Sequence, residues 1–130
     1  MSDSGGQVAR AYLDAFQRGD VEAALSCLAP NSVIVEPDGL PFSGRFVGRD
    51  GFMELLGKLT TVFDAVVEGV DVHEAESIVV GQISLTLTSK SSGKSLPVKA
   101  VELYTVVDGH IAVADVYYKE AAGIAALAAG

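Results

Sequence analysis

Apolar residues recur at spacings of three and four in the first half of the chain, and this pattern predicts three amphipathic helices. The first is expected over residues 7–18, where Gly19 ends it. Asp20 is placed to cap a second, short helix, which Pro30 ends. The third is expected over residues 50–63, capped by the aspartate at its start. The apolar positions of these helices are Val8, Ala11, Tyr12, Ala15, Phe16, Val21, Ala24, Leu25, Leu28, Phe52, Leu55, Leu56, Leu59, Val62 and Phe63.

The second half of the chain changes to the period-two alternation of β-strands. Four strands are expected there, at residues 65–75, 77–90, 95–107 and 110–119, after one earlier strand at 32–36. Ser91-Ser92-Gly93 and Asp108-Gly109 are typical of hairpin turns. Residues 40–47 have the composition of a loop, and the Ala/Gly-rich tail 121–130 predicts a weak terminal helix.

Helices followed by a run of antiparallel strands predict an α+β fold. Several strands are apolar on both faces, because Val101, Leu103 and Val107 lie opposite the apolar face that carries Glu102. An antiparallel sheet with one solvated face alternates more cleanly than this. We therefore expect one face to cover the helices and the other to pack against a second copy of the chain, giving a homodimer through the sheet.

The totals place limits on the class of protein. At 130 residues the chain is expected to form one domain, residues 1–130. The net charge is −8 and no Lys/Arg cluster is present, which argues against nucleic acid and anionic membrane as partners. No apolar run approaches the roughly 18 residues of a membrane span. Residues 1–6 lack the features of a signal peptide, so a cytoplasmic protein is expected.

Glu102 is the most unusual residue of the chain. It lies within the most strand-like run, and its neighbours on the same face are Val98, Ala100, Tyr104 and Val106. A carboxylate that points into an apolar space costs several kcal/mol, so it either takes up a proton or finds a partner. A neutral carboxylic acid can donate a hydrogen bond, which is useful in a catalytic site. The alternative is that Glu102 lies at a sheet edge and its head reaches water.

Three other residues carry possible chemistry. Glu36 ends a strand just before Pro37, where a carboxylate is usually solvated. Tyr12 lies on the buried stripe of the first helix, where a tyrosine is most often a core residue. Asp115 lies in a second apolar strand and competes with Glu102, since the sequence leaves its face open.

Other kinds of site have little support. Cys27 is the only cysteine, and neither His73 nor His110 has metal-ligand spacing, so no metal is assigned. No Gly-x-Ser-x-Gly nucleophile motif and no phosphate-binding glycine pattern occurs. Arg45 and Arg49 flank the start of the third helix, where they either guard a cavity mouth or are simply solvated.

The order of these features resembles the nuclear transport factor 2-like superfamily, which includes SnoaL-like proteins and ketosteroid isomerases. The resemblance rests on Gly19-Asp20 between two helices, Glu36-Pro37 after a strand, Gly44-x-x-x-Gly48 before a helix, and the hairpin at Asp108-Gly109. It covers essentially the whole chain. It implies a cone-shaped, curved antiparallel sheet that wraps around the N-terminal helices, encloses an apolar cavity and dimerises through the sheet.

The resemblance to ketosteroid isomerase implies roles for three residues and no cofactor. Tyr12 stands eight residues before Asp20, as the family's helix tyrosine does. Glu36 occupies the position of the family's general base, and Glu102 occupies that of a protonated oxyanion donor. The family has Asp at both positions. In ketosteroid isomerase the donor is an aspartic acid that its apolar site keeps neutral. The implied reaction is a double-bond shift in an apolar carbonyl compound. Each added methylene moves the carboxyl by about 1 Å, enough to cost ~100-fold in rate.

Two alternatives stay open. SnoaL-type polyketide cyclases carry a His-x-Asp pair on the cavity face of the last strand, and the matching positions here are Ala114 and Val116, with Asp115 pointing away. The chain is alternatively a non-catalytic module, whose pocket holds a hydrophobic small molecule or whose fold serves only dimerisation.

Overall fold

The computed structural model describes residues 4–130. Met1, Ser2 and Asp3, part of the segment in which no signal peptide is expected, lie outside the described residues. In chain order the elements are α1 (Gly5–Gln17), α2 (Val21–Ser26), β1 (Leu28–Glu36), β2 (Gly44–Val47), α3 (Gly48–Val62), β3 (Phe63–Glu74), β4 (Val79–Ser89), β5 (Ser95–Val107), β6 (His110–Tyr118) and α4 (Ala121–Ala129). The α+β architecture expected from the sequence is confirmed.

The helix ends show which local signals operate. Ser4 caps α1 in a capping box with Gln7, and Asp20 caps α2 by accepting from a backbone N–H, as predicted. The prediction that Asp50 caps the third helix is wrong: α3 begins after Val47, with no side-chain cap, and Asp50 lies inside its first turn. An acidic residue there still interacts favourably with the positive end of the helix dipole.

Pro30 does not end α2, which stops four residues earlier at Ser26. It lies within β1, where the pairing with β6 shifts register between Leu28 and Val33. A proline lacks a backbone N–H and is tolerated in a strand at such an irregularity. The segment predicted as a loop, residues 40–47, contains the short strand β2, which pairs with the end of β1.

The six strands form one curved, unclosed sheet in the order β2-β1-β6-β5-β4-β3. The sheet is mixed rather than wholly antiparallel, because β1 runs parallel to β6 while the other neighbours are antiparallel. This arrangement brings the end of β1 beside β6 and β5. Glu36 and Glu102, far apart in sequence, therefore lie on strands separated only by β6.

The helices cover one face of the sheet. α1 packs against β3, β4, β5 and β6, and α3 packs against β1, β2 and β3. α4 closes one end against β4 and β5, where Ile124 is fully buried. The core between helices and sheet is rich in aromatic side chains. We call the sheet face toward α1 and α3 the inner face and the opposite one the outer face.

Within residues 4–130, no helix is both long enough and apolar enough to cross a lipid bilayer. The outer face keeps several apolar side chains accessible: Tyr117 is 53% exposed, and Val101, Leu103 and Val113 are only partly buried.

Candidate active site

A cavity of about 100 Å³ lies between the inner face and helices α1 and α3. Most of its wall is apolar; the polar lining residues are Tyr12, Glu36, Glu102 and Tyr118. Phe16, Leu56, Leu59, Val67 and Leu85 are the partly accessible apolar lining residues. The three residues singled out by the resemblance thus line a single cavity, and the fold brings them there from α1, β1 and β5.

Glu102 projects from the inner face of β5, two residues before Tyr104. The alternation of the strand places both side chains on one face, and the Tyr104 hydroxyl donates a hydrogen bond of 2.9 Å to Glu102 Oε1. Tyr104 itself is fully buried. Among the described residues, the hydroxyl that donates to Glu102 therefore belongs to its own strand, not to Tyr12 on α1.

Gly81 on β4 makes room for this hydrogen bond. It is the register partner of Glu102, and a methyl group there would lie 3.2 Å from the Tyr104 hydroxyl oxygen and 2.9 Å from Leu13 Cδ1. Contacts that short require the neighbours to move. The absence of a side chain at Gly81 therefore lets the Tyr104 ring occupy its place beside Glu102.

Glu36 reaches the cavity from the last residue of β1. It is 7% exposed, so the expectation of a solvated carboxylate at this strand end is wrong. Residues 37–43 connect β1 to β2, whose first residue Gly44 pairs with Glu36, and Ser43 Oγ donates to the carbonyl of Pro37 within this turn. Glu36 Oε1 is buried and has no hydrogen-bond partner among the described residues.

Burial sets the protonation of both carboxyl groups. It raises the pKa of Glu36 to about 9, and the nearby charge of Glu102 contributes to the rise, while hydrogen bonding with Tyr118 opposes it. Burial also raises the pKa of Glu102 to about 7, and the hydrogen bond from Tyr104 opposes that rise. The prediction that Glu102 has a raised pKa is therefore supported by its position.

The tyrosines of the site stay neutral. Burial raises the pKa of Tyr12 well above its usual value, and the charges of Glu102 and Glu36 add to this. The same causes, burial first, raise the pKa values of Tyr104 and Tyr118. Their O–H groups are therefore hydrogen-bond donors throughout the physiological pH range.

The tyrosine rings are held by edge-to-face contacts. Tyr12 packs against Phe16 at 4.9 Å and against Tyr104 at 6.0 Å between ring centroids. On the other side of the site, Tyr118 packs against Phe42 at 5.8 Å. Such contacts restrict ring motion and fix the directions of the hydroxyl groups.

The remaining candidates lie elsewhere. Asp115 is on the outer face, where the exposed Tyr117 hydroxyl donates to its Oδ2 at 2.8 Å. Arg49 pairs with Glu22 at the surface, at 3.1 Å. Arg45 is exposed on β2, and neither arginine lines the cavity, so the solvated interpretation holds for both. His73 and His110 are exposed as well.

Three residues of the site were missed as candidates: Tyr104, Tyr118 and Gly81. Tyr104 was visible as a face-mate of Glu102, and the spacing of two in a strand was the signal that its hydroxyl could reach the carboxyl. Tyr118 is placed at the site because it pairs with Ala100 across β5 and β6. Gly81 is placed there because it pairs with Glu102 across β4 and β5. These pairings depend on sheet register, which the sequence pattern did not specify.

Comparisons with solved structures agree on the fold. A nuclear transport factor 2-like protein from Burkholderia thailandensis has a TM-score of 0.88 at 21% identity, covering 96% of this chain and 97% of that one. A nuclear transport factor 2-like protein of unknown function from Burkholderia pseudomallei has a TM-score of 0.86 at 21% identity, covering 95% of this chain and 96% of that one. A putative polyketide cyclase from Xanthomonas campestris has a TM-score of 0.79 at 21% identity, covering 93% of this chain and 94% of that one. At these identities the likeness shows the fold alone.

Sequence comparison gives the family. No curated protein sequence matches this chain. The family model of the SnoaL-like domain matches residues 9–114, which include Tyr12, Glu36 and Glu102. Because this match covers most of the 130 residues, the chain belongs to the SnoaL-like domain family of the nuclear transport factor 2-like superfamily.

Proposed function

We propose that this protein is a cofactor-independent enzyme that removes a proton from the carbon next to a carbonyl group and so shifts a double bond in an apolar compound. The observation that carries the proposal is the convergence of Tyr12, Glu36 and Glu102 on one apolar cavity. If the carboxyl groups lined different spaces, a purely structural role would be favoured instead.

The cavity has the parts that enolate formation requires. One carboxyl group must be ionised to accept the proton, and O–H donors must face the oxygen on which charge develops. Tyr12, Tyr118 and whichever carboxyl group stays neutral are such donors. In an apolar space these donors stabilise an enolate more than they would in water, because the effective dielectric constant is low.

The size and lining of the cavity limit the substrate. Pockets for drug-sized ligands measure roughly 300–1,000 Å³, and an engineered apolar cavity of ~150 Å³ holds benzene. At about 100 Å³ this cavity suits a compound of about one ring, and a steroid would require the apolar side chains at the rim to move. Because no Lys, Arg or His among residues 4–130 lines the cavity, an uncharged substrate is favoured.

The test is the appearance of a conjugated enone by ultraviolet absorbance, with 3-cyclohexen-1-one as the one-ring substrate and 5-androstene-3,17-dione as the larger one. We expect turnover of the one-ring ketone and a large loss in Glu102→Gln, with Asp115→Asn as the matched control that keeps the wild-type rate. Failure to exceed the buffer rate with both ketones would reject the isomerase. An unchanged rate in Glu36→Gln would remove Glu36 from the mechanism.

A polyketide cyclase-like activity is the second candidate. Structures described as putative polyketide cyclases from Xanthomonas campestris and Pseudomonas putida share the fold, with TM-scores of 0.79 and 0.80. Enolate formation is a step that such ring closure can also use. The His-x-Asp pair of the cyclases is nevertheless replaced here by Ala114 and Val116, both buried on the inner face. Ring closure would therefore depend on Glu36 and Glu102.

A binding module is the non-enzymatic alternative. One protein of similar fold, TerC, was co-crystallised with polyporic acid. Its structure matches this chain with a TM-score of 0.85 and 22% identity, and the match covers 95% of this chain and 97% of TerC. Binding of a small ketone by calorimetry, without turnover of any tested ketone, would favour this alternative.

The proposed partner is a second copy of the chain. The partly buried apolar side chains of the outer face, among them Val101, Leu103 and Val113, support pairing of two sheets. Light scattering at micromolar concentration is expected to give a dimer mass; a monomer mass would count against the proposal.

A further inference from the structure

The two carboxyl groups of the cavity differ in their hydrogen bonding. Glu102 Oε1 accepts the Tyr104 hydroxyl at 2.9 Å. Tyr118 is close enough to Glu36 to favour its carboxylate by hydrogen bonding, but Glu36 Oε1 is buried without any partner among the described residues. A hydrogen bond from a neutral donor stabilises a carboxylate, and a buried carboxylate oxygen with no donor is costly. The surroundings of Glu102 thus favour ionisation more than those of Glu36 do.

We propose that Glu102 is the proton acceptor of the site, that Tyr104 is its positioning residue, and that Glu36 stays neutral and donates a hydrogen bond. This assignment rests on the proposed function and reverses the roles that the resemblance to ketosteroid isomerase implies for the two carboxyl groups.

The electrostatic environment agrees with this order of ionisation. The groups that act on the pair are Tyr12 on α1, Tyr104 on β5 and Tyr118 on β6, all held neutral by burial. The pKa of Glu102 is about 7 and that of Glu36 about 9. Once Glu102 is ionised, its negative charge makes the second ionisation harder, so the pair carries at most a single charge at neutral pH.

The assignment gives a balanced proton transfer. The Glu102 carboxylate takes a proton from the carbon next to the carbonyl, and the electrons of that C–H bond move into the carbonyl group to form a dienolate. The Glu36 O–H and the Tyr12 O–H face the developing oxyanion. Glu102, now protonated, returns the proton to the distant carbon, and the carbonyl re-forms with the double bond in conjugation. No oxidant, reductant or leaving group is needed.

Tyr104 holds Glu102 in a fixed direction during this cycle. Its hydroxyl occupies Oε1, and no described residue donates a hydrogen bond to Oε2, which is left to accept the substrate proton. The tyrosine in turn fits against Gly81, where an added methyl group would lie 3.0 Å from Tyr104 Cε2. Gly81 is therefore a positioning residue for Tyr104.

The order of ionisation can be measured without any substrate. Carboxyl ¹³C shifts of the folded protein, assigned with Glu36→Gln and Glu102→Gln, should show Glu102 titrating below Glu36. In Tyr104→Phe the titration of Glu102 should move up by at least about one pH unit, because the donor to its carboxylate is lost. Tyr117→Phe, which removes the equivalent donor on the outer face, should leave the titrations of both Glu36 and Glu102 unchanged. The proposal would be overturned if Glu36 titrates at a lower pH than Glu102, or if the titration of Glu102 is unchanged in Tyr104→Phe.

Kinetics with 3-cyclohexen-1-one then assign the roles. We expect Glu102→Gln to lose at least ~100-fold in kcat, the usual effect of removing a general base. Glu36→Gln, whose amide still donates, should lose a measurable factor of up to about tenfold, and Tyr104→Phe should shift the rising limb of the pH–rate profile upward. The opposite ranking of the two glutamine variants would overturn the assignment. If the wild-type protein shows no turnover, the proposed function fails, while the titration still decides which carboxyl group ionises first.

Discussion

The inner and outer faces of the sheet carry the same pair of side chains in different surroundings. On the inner face of β5, the Tyr104 hydroxyl donates to Glu102 at 2.9 Å; on the outer face of β6, the Tyr117 hydroxyl donates to Asp115 at 2.8 Å. In each case the tyrosine follows the acid by two residues. Leu103 pairs with Asp115, so the two motifs lie side by side and point in opposite directions.

The difference between them is access to water. Tyr104 is fully buried, whereas Tyr117 is 53% exposed. Burial raises the pKa of Glu102 to about 7, a value suited to proton transfer near neutral pH. The outer pair makes the same hydrogen bond, but its tyrosine is exposed and neither Asp115 nor Tyr117 lines the inner cavity. The chemistry of the site thus comes from the enclosed surroundings of the motif rather than from the motif itself.

The largest effect that would separate the two faces is on the pH dependence of stability. The native protein keeps the Glu36 proton up to a pKa of about 9, while the unfolded chain releases it near the ordinary glutamate pKa of 4.5. The native state then binds more protons, so stability falls as pH rises through this window, by about 1.4 kcal/mol per pH unit. At pH 8 we expect Glu36→Gln to be more stable than wild type by about 2–5 kcal/mol, and at pH 4.5 to be nearly equal.

Urea unfolding between pH 4.5 and 9 measures this, with Asp115→Asn as the outer-face control. The control should keep the wild-type slope. Equal slopes in wild type and Glu36→Gln would mean that Glu36 ionises normally and that the inner face is not the low-dielectric space described here.

The second contrast uses two glycines of the sheet. Gly81→Ala on the inner face should destabilise the protein by roughly 1–3 kcal/mol, because its methyl group meets Leu13 and Tyr104 at 2.9–3.2 Å. Gly69→Ala on β3 should be neutral or slightly stabilising, since the nearest atom outside its chain neighbours is Ser84 Cβ at 3.7 Å. Chemical denaturation of both variants tests the comparison, and equal effects would contradict the tight packing around Tyr104.

The third contrast removes one hydroxyl from each motif. Tyr104→Phe should cost about 1–2 kcal/mol at pH 8, because it leaves a buried carboxylate oxygen without its donor. Tyr117→Phe should change stability by less than about 0.5 kcal/mol, since water replaces the lost donor. Thermal and urea unfolding at pH 8 provide the measurement. A cost in Tyr117→Phe as large as that in Tyr104→Phe would show that burial is not what distinguishes the two pairs.

The smallest effect is expected at the surface ion pair. Arg49 and Glu22 lie 3.1 Å apart with side chains 61% and 79% exposed. Arg49→Ala should therefore change the free energy of unfolding by less than about 0.5 kcal/mol. It should leave ketone turnover unchanged, because Arg49 does not line the cavity. A marked rise in KM would restore the alternative that the arginine guards the cavity mouth.

The sequence predicted the elements better than it predicted their contacts. Periodicity placed α1, α3 and the four long strands within a few residues, because those segments bury one clear apolar face. It missed β2, whose four residues are too few to show alternation, and it treated Pro30 as a helix stop, although a register irregularity accommodates the proline in β1.

For the site, the resemblance selected three residues that share a cavity. Periodicity alone did not decide whether Glu36 and Glu102 face a cavity or water. The strand end alone predicts a solvated Glu36, because the sequence does not show that residues of α1, α3, β5 and β6 enclose this position in a cavity. The parallel pairing of β1 with β6 is a long-range contact that brings Glu36 within electrostatic reach of Glu102. The partners Tyr104, Tyr118 and Gly81 follow from sheet register, which depends on the whole sheet rather than on any one strand.

Enolate formation in the cavity is tested most directly by exchange of the protons next to the carbonyl of cyclohexanone in D₂O, followed by ¹H NMR. This exchange reports the step that the isomerase and the cyclase share. We predict exchange well above the buffer rate with wild type and with Asp115→Asn, and a fall to near the buffer rate with Glu102→Gln. Exchange at the buffer rate in the wild-type protein, or loss of exchange in Asp115→Asn rather than in Glu102→Gln, would contradict enolate formation by Glu102.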